Sequence, residues 1–250
     1  MAPESLEVVV ARYREDVGWT RNLPDGTRVT IYGKGGELGA GADEIPLPNI
    51  GREAHTYLWH IVHRYDSLAP VTVFCQGHPF DHAHDLHRVI REMAAGSIAV
   101  SDFLWLGFII DTDDPRGGRL FVPWGKNSEG RELPLAAIHE SLFGEPCPGK
   151  FLFYPGAQFA VSASCIRRRP VEFYRRALGL AAADELHAHC FERIWDRVFG
   201  QRGVDEGAMG GADTKYLKPI RRLGGMAALA PSCVRGIRGE RHTREVPLDP

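Results

Sequence analysis

The sequence predicts an α/β fold, a single-domain layered sheet with helices on both faces. Residues 6–13, LEVVVARY, and the run PVTVFCQGH beginning at Pro70 are short, nearly continuous apolar stretches rich in β-branched side chains, the pattern of strands buried on both faces. Between them Ala54, Tyr57, Leu58, Ile61, Val62 and Tyr65 recur at i, i+3, i+4, i+7, i+8 and i+11, which sets one face of a helix against a core. Strands alternating with helices in this way build α/β layers. A chain of 250 residues supplies one good-sized core without needing a second domain.

Composition removes several function classes. A formal charge of -2 gives no global attraction to nucleic acid or to an anionic membrane surface. Five cysteines, Cys75, Cys147, Cys165, Cys190 and Cys233, are odd in number and contain no CxxC pair, which suits reduced thiols better than a disulfide framework. The N-terminus MAPESLEVVV lacks a basic segment ahead of its apolar run, so no signal peptide is read. The longest apolar run, FLWLGFII at 103–110, is far short of the roughly 20 residues of a membrane helix. The expectation is a cytoplasmic protein without membrane insertion.

The elements then follow in order. The first strand ends in the polar loop REDVGW, residues 14–19, and polar loops at the carboxyl ends of central strands are where open α/β sheets bind ligands. TRVTIYGKGG is a second strand that ends at Lys34 among glycines, either a solvated turn or a phosphate contact. Residues 37–49 form a Gly/Pro-rich connection to a helix beginning near Gly51. Arg52 falls in the first turn of that helix, where the backbone dipole disfavours a cation. An anionic ligand held by the helix start and the guanidinium would compensate, as would a surface carboxylate. The strand PVTVFCQGH carries Gln76 and His78 to the same edge if it runs parallel to the first. The next helix, within DHAHDLHRVIREMAAG, takes Asp81 as its N-cap.

After FLWLGFII the turn-rich DTDDPRGGR, an apolar FVPW and a short helix around IHESLFG are expected. FLFYPGAQFAVSAS, residues 151–164, reads as strand broken at Pro155 and Gly156. Pro170 opens a helix through VEFYRRAL, and DELHAHCFERIWDRVF is a longer helix that holds Glu192 and Trp195. The boundaries expected are a catalytic domain over 1–204 and a basic Gly/Pro/Arg-rich tail over 205–250. That tail is either solvated or in contact with a polyanion.

Two clusters have metal-ligand chemistry. QGHPFDHAHDLH brings imidazoles and carboxylates together, with His78, Asp81 and His82 in the loop as the ligands of choice and His84 and His87 on the helix. Asp111 and Asp113 of DTDDP form a D-x-D in an acidic loop, a spacing that holds a divalent cation against a diphosphate in many nucleotide-sugar transferases. The alternative for both is metal-free: capping, exposure and an ordinary acidic turn.

The ordered series VVVARYREDVGW, IYGKG, LPNIGREAHTYLWHIVHRYD, VFCQGHPFDH, YPGAQFAVSASCIRRRPVEFYRRAL and FERIWDRVF resembles the fungal and bacterial proteins grouped as domain of unknown function 3431. More distantly, N-x-G-R-[DE] at a helix start and the late Y-x-G-A-x-F-x-V-S with I-x-x-R-P-x-x-F-Y are similar to GT-A type glycosyltransferases. That resemblance implies a GT-A-like sheet and the transfer of a group, a sugar, from an anionic activated donor to a hydroxyl or amine acceptor, as in natural-product synthesis. Glu15 and Asp16 match the acidic position that contacts the nucleotide base, and Asn49, Arg52 and Glu53 match the diphosphate-side helix start. Arg12, Trp19, Lys34, His55, Gln76 and Gln158 complete the donor-binding candidates. The position of the usual metal-binding D-x-D is held by Gln76–His78, which leaves a Mn or Mg ion to His78, Asp81 or other groups. Glu192, Asp81 and His78 are the catalytic candidates, a carboxylate deprotonating the acceptor while Arg52 and Lys34 stabilise the leaving diphosphate.

Two rival readings stand beside this. An aminoacyl-tRNA-dependent transferase forming an amide or cyclic dipeptide would use the basic tail and Arg167, Arg168, Arg169, Arg175 and Arg176 along a phosphate backbone. A non-enzymatic binding module is the third.

Overall fold

A computed structural model of the chain describes residues 6–36, 44–118, 132–202, 204 and 206–217. The first strand, β1 (Leu6–Arg12), is buried on both faces. Because side chains alternate along a strand, Val8 and Val10 enter one apolar cluster and Val9 enters another. This strand is therefore the partition between two cores.

Strands β2 (Arg28–Gly33) and β4 (Val71–Gln76) flank β1 on either side, and both run parallel to it. A three-residue strand, β3 (Glu44–Pro46), continues the parallel set beyond β2. On the other side, β8 (Phe159–Ser162) pairs antiparallel with β4, and β5 (Phe103–Trp105) pairs antiparallel with β8. The sheet order is β3-β2-β1-β4-β8-β5. The α/β class expected from the sequence is the one adopted. The chain leaves β1 toward β2 and later crosses back to β4 on the far side, so the direction of winding reverses between β1 and β4. In open α/β sheets that reversal opens a crevice at the carboxyl ends of the strands.

One face of the sheet is covered by α1 (Arg52–Arg64), α3 (Leu135–Phe143), α5 (Val171–Ala183) and α6 (Glu185–Val198). Helix α1 begins where the apolar periodicity puts it and buries Ala54, Tyr57, Leu58 and Ile61. The Tyr57 ring lies 5.0 Å from Phe74, 5.7 Å from Phe159 and 5.7 Å from Trp195. The other face is covered by α2 (Leu86–Ala94), which packs Leu86, Val89 and Ile90 on Val8, Val10, Val73 and Cys75. Helix α4 (Ala163–Ile166) is a single turn capped by the Ser162 hydroxyl, which accepts from the Cys165 N–H. A second antiparallel sheet, in the order β7-β6-β9, joins β7 (Phe151–Phe153), β6 (Ile109–Asp113) and β9 (Thr214–Tyr216).

Several expectations are corrected. The run FLWLGFII is two strands, β5 in the large sheet and β6 in the small one, because the backbone turns at Leu106–Phe108. The stretch 151–164 is broken at Pro155–Gly156 as expected, Gly156 having a φ of 93° that glycine adopts freely, and its two halves are β7 and β8. Asp111 and Asp113 lie within β6 and not in a loop. Asp81 ends a 3-10 turn begun by Pro79, and Asp85 holds the N-cap position of α2. His84 precedes that helix and packs its ring 4.6 Å from Phe108, whereas His87 is on it. The connection before α1 contains β3, and Thr214–Tyr216 of the expected tail is β9. Residues 37–43, the FVPW segment, Cys233 and the basic positions from Lys218 onward lie outside the described residues. Cys75, Cys147, Cys165 and Cys190 are free thiols. Among the described residues no helix is long and apolar enough to cross a membrane.

Trp195 is fully buried and also stacks on Phe199 with ring centroids 6.1 Å apart. Trp195→Ala is expected to cost about 3–5 kcal/mol, the usual range for deleting a buried aromatic. A lower urea midpoint at unchanged m-value would register that loss.

Candidate functional site

At the β1/β4 reversal the carboxyl ends of the parallel strands enclose a cleft of about 540 Å³. Register brings them level: Arg12 pairs across from Gly33 and Ala11 from Gln76. The walls come from five segments. The end of β1 gives Ala11, Arg12, Tyr13 and Glu15, the end of β2 gives Lys34, the start of α1 gives Asn49, Arg52 and Glu53, the end of β4 gives Gln76, His78 and Asp81, and the start of α6 gives Glu185. Nine of the residues selected from sequence meet here. Tyr13 and Glu185 were not selected, although Tyr13 directly follows a strand end and Glu185 opens a helix.

The members differ in how far their chemistry is already engaged. Arg12 is buried, donates to the Glu15 and Gly36 carbonyls and pairs with Glu44 at 2.9 Å, so it ties β1 to β3. The Glu15 carboxylate accepts the Tyr13 and Arg14 backbone N–H groups and stabilises the turn. Lys34 donates to the Ile50 carbonyl at 2.6 Å and to the Arg52 carbonyl, clamping the approach to α1. Burial holds its ammonium down to about 8, while the Glu53 carboxylate pulls the other way. His78 and Asp81 are exposed and 3.6 Å apart.

Arg52 is the least engaged cation of the cleft. Its side chain is 46 % exposed and lies 3.7 Å from Glu53. Its backbone has φ 47° directly after Gly51 at φ 58°. A non-glycine residue in the left-handed region costs roughly 1 kcal/mol or more and is characteristic of sites that need a particular side chain there. Glu53 is only 10 % exposed. Burial raises it above the ordinary glutamate range, against the attraction of Arg52.

Other expected residues lie outside the lining. Asp16 accepts the Gly18 N–H, and Trp19 donates its indole N–H to the Gly77 carbonyl and packs on Phe80 and His87. His55 is buried against Trp59, and burial lowers it to about 4, so it is neutral. Gln158 is buried and donates to the Pro79 carbonyl. Glu192 accepts the Gly156 N–H at 2.7 Å and pairs with Arg193 at 2.5 Å, and its charged form is favoured by Arg193, although burial opposes it. Asp113 is bound to the same buried Arg193 at 3.0 Å, and Asp111 accepts from the Thr112 N–H and the Thr214 hydroxyl.

The metal candidates do not converge. His78 and Asp81 face each other, His82 packs its ring against Gly156, and the two aspartates of β6 are engaged on the small sheet. Among the described residues no three His, Cys, Asp or Glu side chains are arranged to hold a metal ion. The residues expected to hold Mn or Mg are thus not brought together as one ligand set among the described residues. The arginine group is likewise engaged: Arg167 donates to the Tyr65 carbonyl, Arg168 pairs with Asp102, Arg175 pairs with Glu172, and Arg169 and Arg176 lie over Phe173.

Two measurements check this geometry. A Cβ at Gly51 would lie 2.3 Å from the Ala181 carbonyl oxygen, so Gly51→Ala should destabilise by about 1–3 kcal/mol in urea melts, steric overlap adding to left-handed strain. Lys34 loses its proton earlier in the folded chain than in the unfolded one, where the ordinary value is 10.5. The unfolded state then binds more protons between about 8 and 10.5, and stability rises with pH in that window. Lys34→Met should flatten that rise in urea melts taken across it.

No curated protein and no solved structure matches the chain. A family model matches residues 8–209, which reach from β1 past the end of α6 and so include every wall of the cleft. On that match the chain belongs to the family described as Protein of unknown function (DUF3431).

Proposed function

We propose that the protein is a GT-A-like transferase that holds the anionic part of an activated donor, a nucleotide sugar, in the cleft and passes its sugar to a hydroxyl or amine acceptor. The observation that carries this reading is the meeting of Lys34, Asn49 and Arg52 with Gln76 and His78 at the carboxyl edge of β1, β2 and β4. A half-exposed guanidinium and a partly buried ammonium at the same helix start suit an anion. The volume of about 540 Å³ is in the range of small-molecule sites.

Within this reading Arg52 and Lys34 bind the donor's negative charge and stabilise it as it grows on the departing diphosphate. The acceptor loses its proton to a group on the opposite wall, where Asp81 and His78 are open to solvent. Glu192 supports the floor from behind, since its oxygens are engaged by Gly156 and Arg193. Arg52 then has a reason to occupy a left-handed backbone position that glycine would take without strain.

Thermal shift with UDP-sugars, with and without manganese, set against total aminoacyl-tRNA, tests the assignment. Stabilisation by a UDP-sugar is expected, and stabilisation by tRNA alone would overturn it. Arg52→Ala should weaken binding of the UDP-sugar about tenfold or more, the loss of one charge-assisted contact, with the melting temperature nearly unchanged. Arg52→Gly should weaken it equally while relieving the backbone. Unfolding of both variants would make Arg52 a structural ion-pair partner.

A further inference from the structure

Behind the α1 wall of the cleft, Glu192 and Asp113 share one buried cation, Arg193. Glu53 on α1 lines the cleft, and the charge of Glu192 on α6 is felt at it. The Arg193 guanidinium serves two carboxylates before Glu53 is considered. The cation paired with Glu53 is Arg52, at 3.7 Å and half in solvent, where attraction is weakened, and a backbone N–H also favours its charged form. His189, the imidazole beside Glu192, is lowered by burial to about 4 and supplies no charge. One turn along α1 from Glu53, the fully buried Tyr57 hydroxyl makes no hydrogen bond among the described residues. An ionised Glu53 would thus be a buried carboxylate facing a second carboxylate, an arrangement relieved by keeping a proton on one of the two.

An anion entering the cleft beside Arg52 and Lys34 adds a third negative group. We propose that Glu53 binds the donor anion as a neutral carboxylic acid, donating its O–H to a donor oxygen, so that anion binding and retention of one proton at Glu53 are a single linked event. This rests on the donor reading above and specifies how that site recognises its ligand. The proton comes from solvent and stays on the Glu53 oxygen, with no covalent change in the donor. The burial that raises Glu53 above the ordinary range favours the same state before the ligand arrives. The charged groups acting on Glu53 are Arg52 on its own helix, Lys34 at the end of β2 and Glu192 on α6, and the other titratable or charged groups of the lining are Arg12, Tyr13, Glu15, His78, Asp81 and Glu185. Of these Lys34 loses its proton only near 8, so the linkage is read below that pH.

The test is calorimetric titration of the full chain with UDP, and with inorganic pyrophosphate, in buffers of different ionisation enthalpy from mildly acidic pH to about 8. Once the pH passes the Glu53 titration of the free protein, about one proton should be taken up per anion bound. Affinity should then fall by up to about tenfold per pH unit. Glu53→Gln should remove both effects while still binding. Carbon-13 NMR of the glutamate carboxyls in the unsubstituted protein supplies the same answer without a variant: the Glu53 titration should move upward on addition of UDP. Binding without proton uptake and without a shift in that titration overturns the inference and leaves the donor reading standing. Uptake that persists in Glu53→Gln belongs to another group and overturns it as well. Failure of both UDP and pyrophosphate to bind removes the donor reading and this inference with it.

Discussion

The docking of α1 on the sheet is the constraint on which the candidate site depends. Tyr57 wedges the helix among Phe74 of β4, Phe159 of β8 and Trp195 of α6. Gly51 lets the helix start lie against the Ala181 carbonyl at the end of α5, where any larger residue would collide. These contacts are dense and apolar, and interiors packed in this way transmit displacement and do not absorb it. Since Arg52 and Glu53 are the first residues of the helix, their positions over the strand ends are set by packing one and two turns away. Lys34 completes the arrangement from the sheet side by holding the Ile50 and Arg52 carbonyls. The helix start is fastened at both ends, which is how a left-handed Arg52 persists against its local preference.

Much of this was legible in the sequence, and what was legible shares one property: it depends on neighbours a few residues apart. The apolar runs of β1 and β4 and the periodicity of α1 predict those elements because burial imposes period 2 or 3.6 on local sequence. The edge that holds the cleft is marked by the polar residues at the strand ends, Arg12, Lys34 and Gln76 among them. What failed depends on distant partners. Nothing local in FLWLGFII says that its halves belong to different sheets, since both are apolar and the turn at Leu106–Phe108 is fixed by the hydrogen bonds of Leu106 to Gln158 and of Phe108 to His82. β3 has three residues and is too short for any period. Asp81 and Asp85 are equally good caps by type, and Pro79 decides between them by starting a separate 3-10 turn.

The site shows the same division. Arg52 was singled out from its place in the helix, a local argument, and it is the exposed cation of the cleft. Glu192 is singled out by residue type, and the Asp111/Asp113 pair by type and D-x-D spacing. Their environments come from Gly156, Arg193 and Thr214, which are 36, 80 and 103 positions away from the acidic groups they meet. A mid-helix arginine such as Arg193 reads in sequence as a solvated charge, yet it is buried and central. Type and spacing locate an edge where chemistry can occur. They do not say which carboxylates on that edge are already satisfied.

Arg193 also explains what the small sheet contributes to the cleft. Its guanidinium joins Asp113 of β6 to Glu192 of α6, and it lies over the Phe153 ring of β7 at 4.5 Å. Glu192 in turn accepts the N–H of Gly156, in the left-handed turn between β7 and β8 that brings the chain from the small sheet back to the large one. One buried cation thus fixes a strand of the second sheet, the crossing between the sheets and the carboxylate behind Glu53. Removing one partner of such a buried set leaves an uncompensated charge, at about 3–5 kcal/mol, so the set behaves as a unit. The charge it presents to Glu53 is consequently fixed: Glu192 stays ionised because Arg193 and Gly156 hold it so. A fixed negative neighbour makes Glu53, the carboxyl open to the cleft, the member of the pair whose protonation responds to what enters.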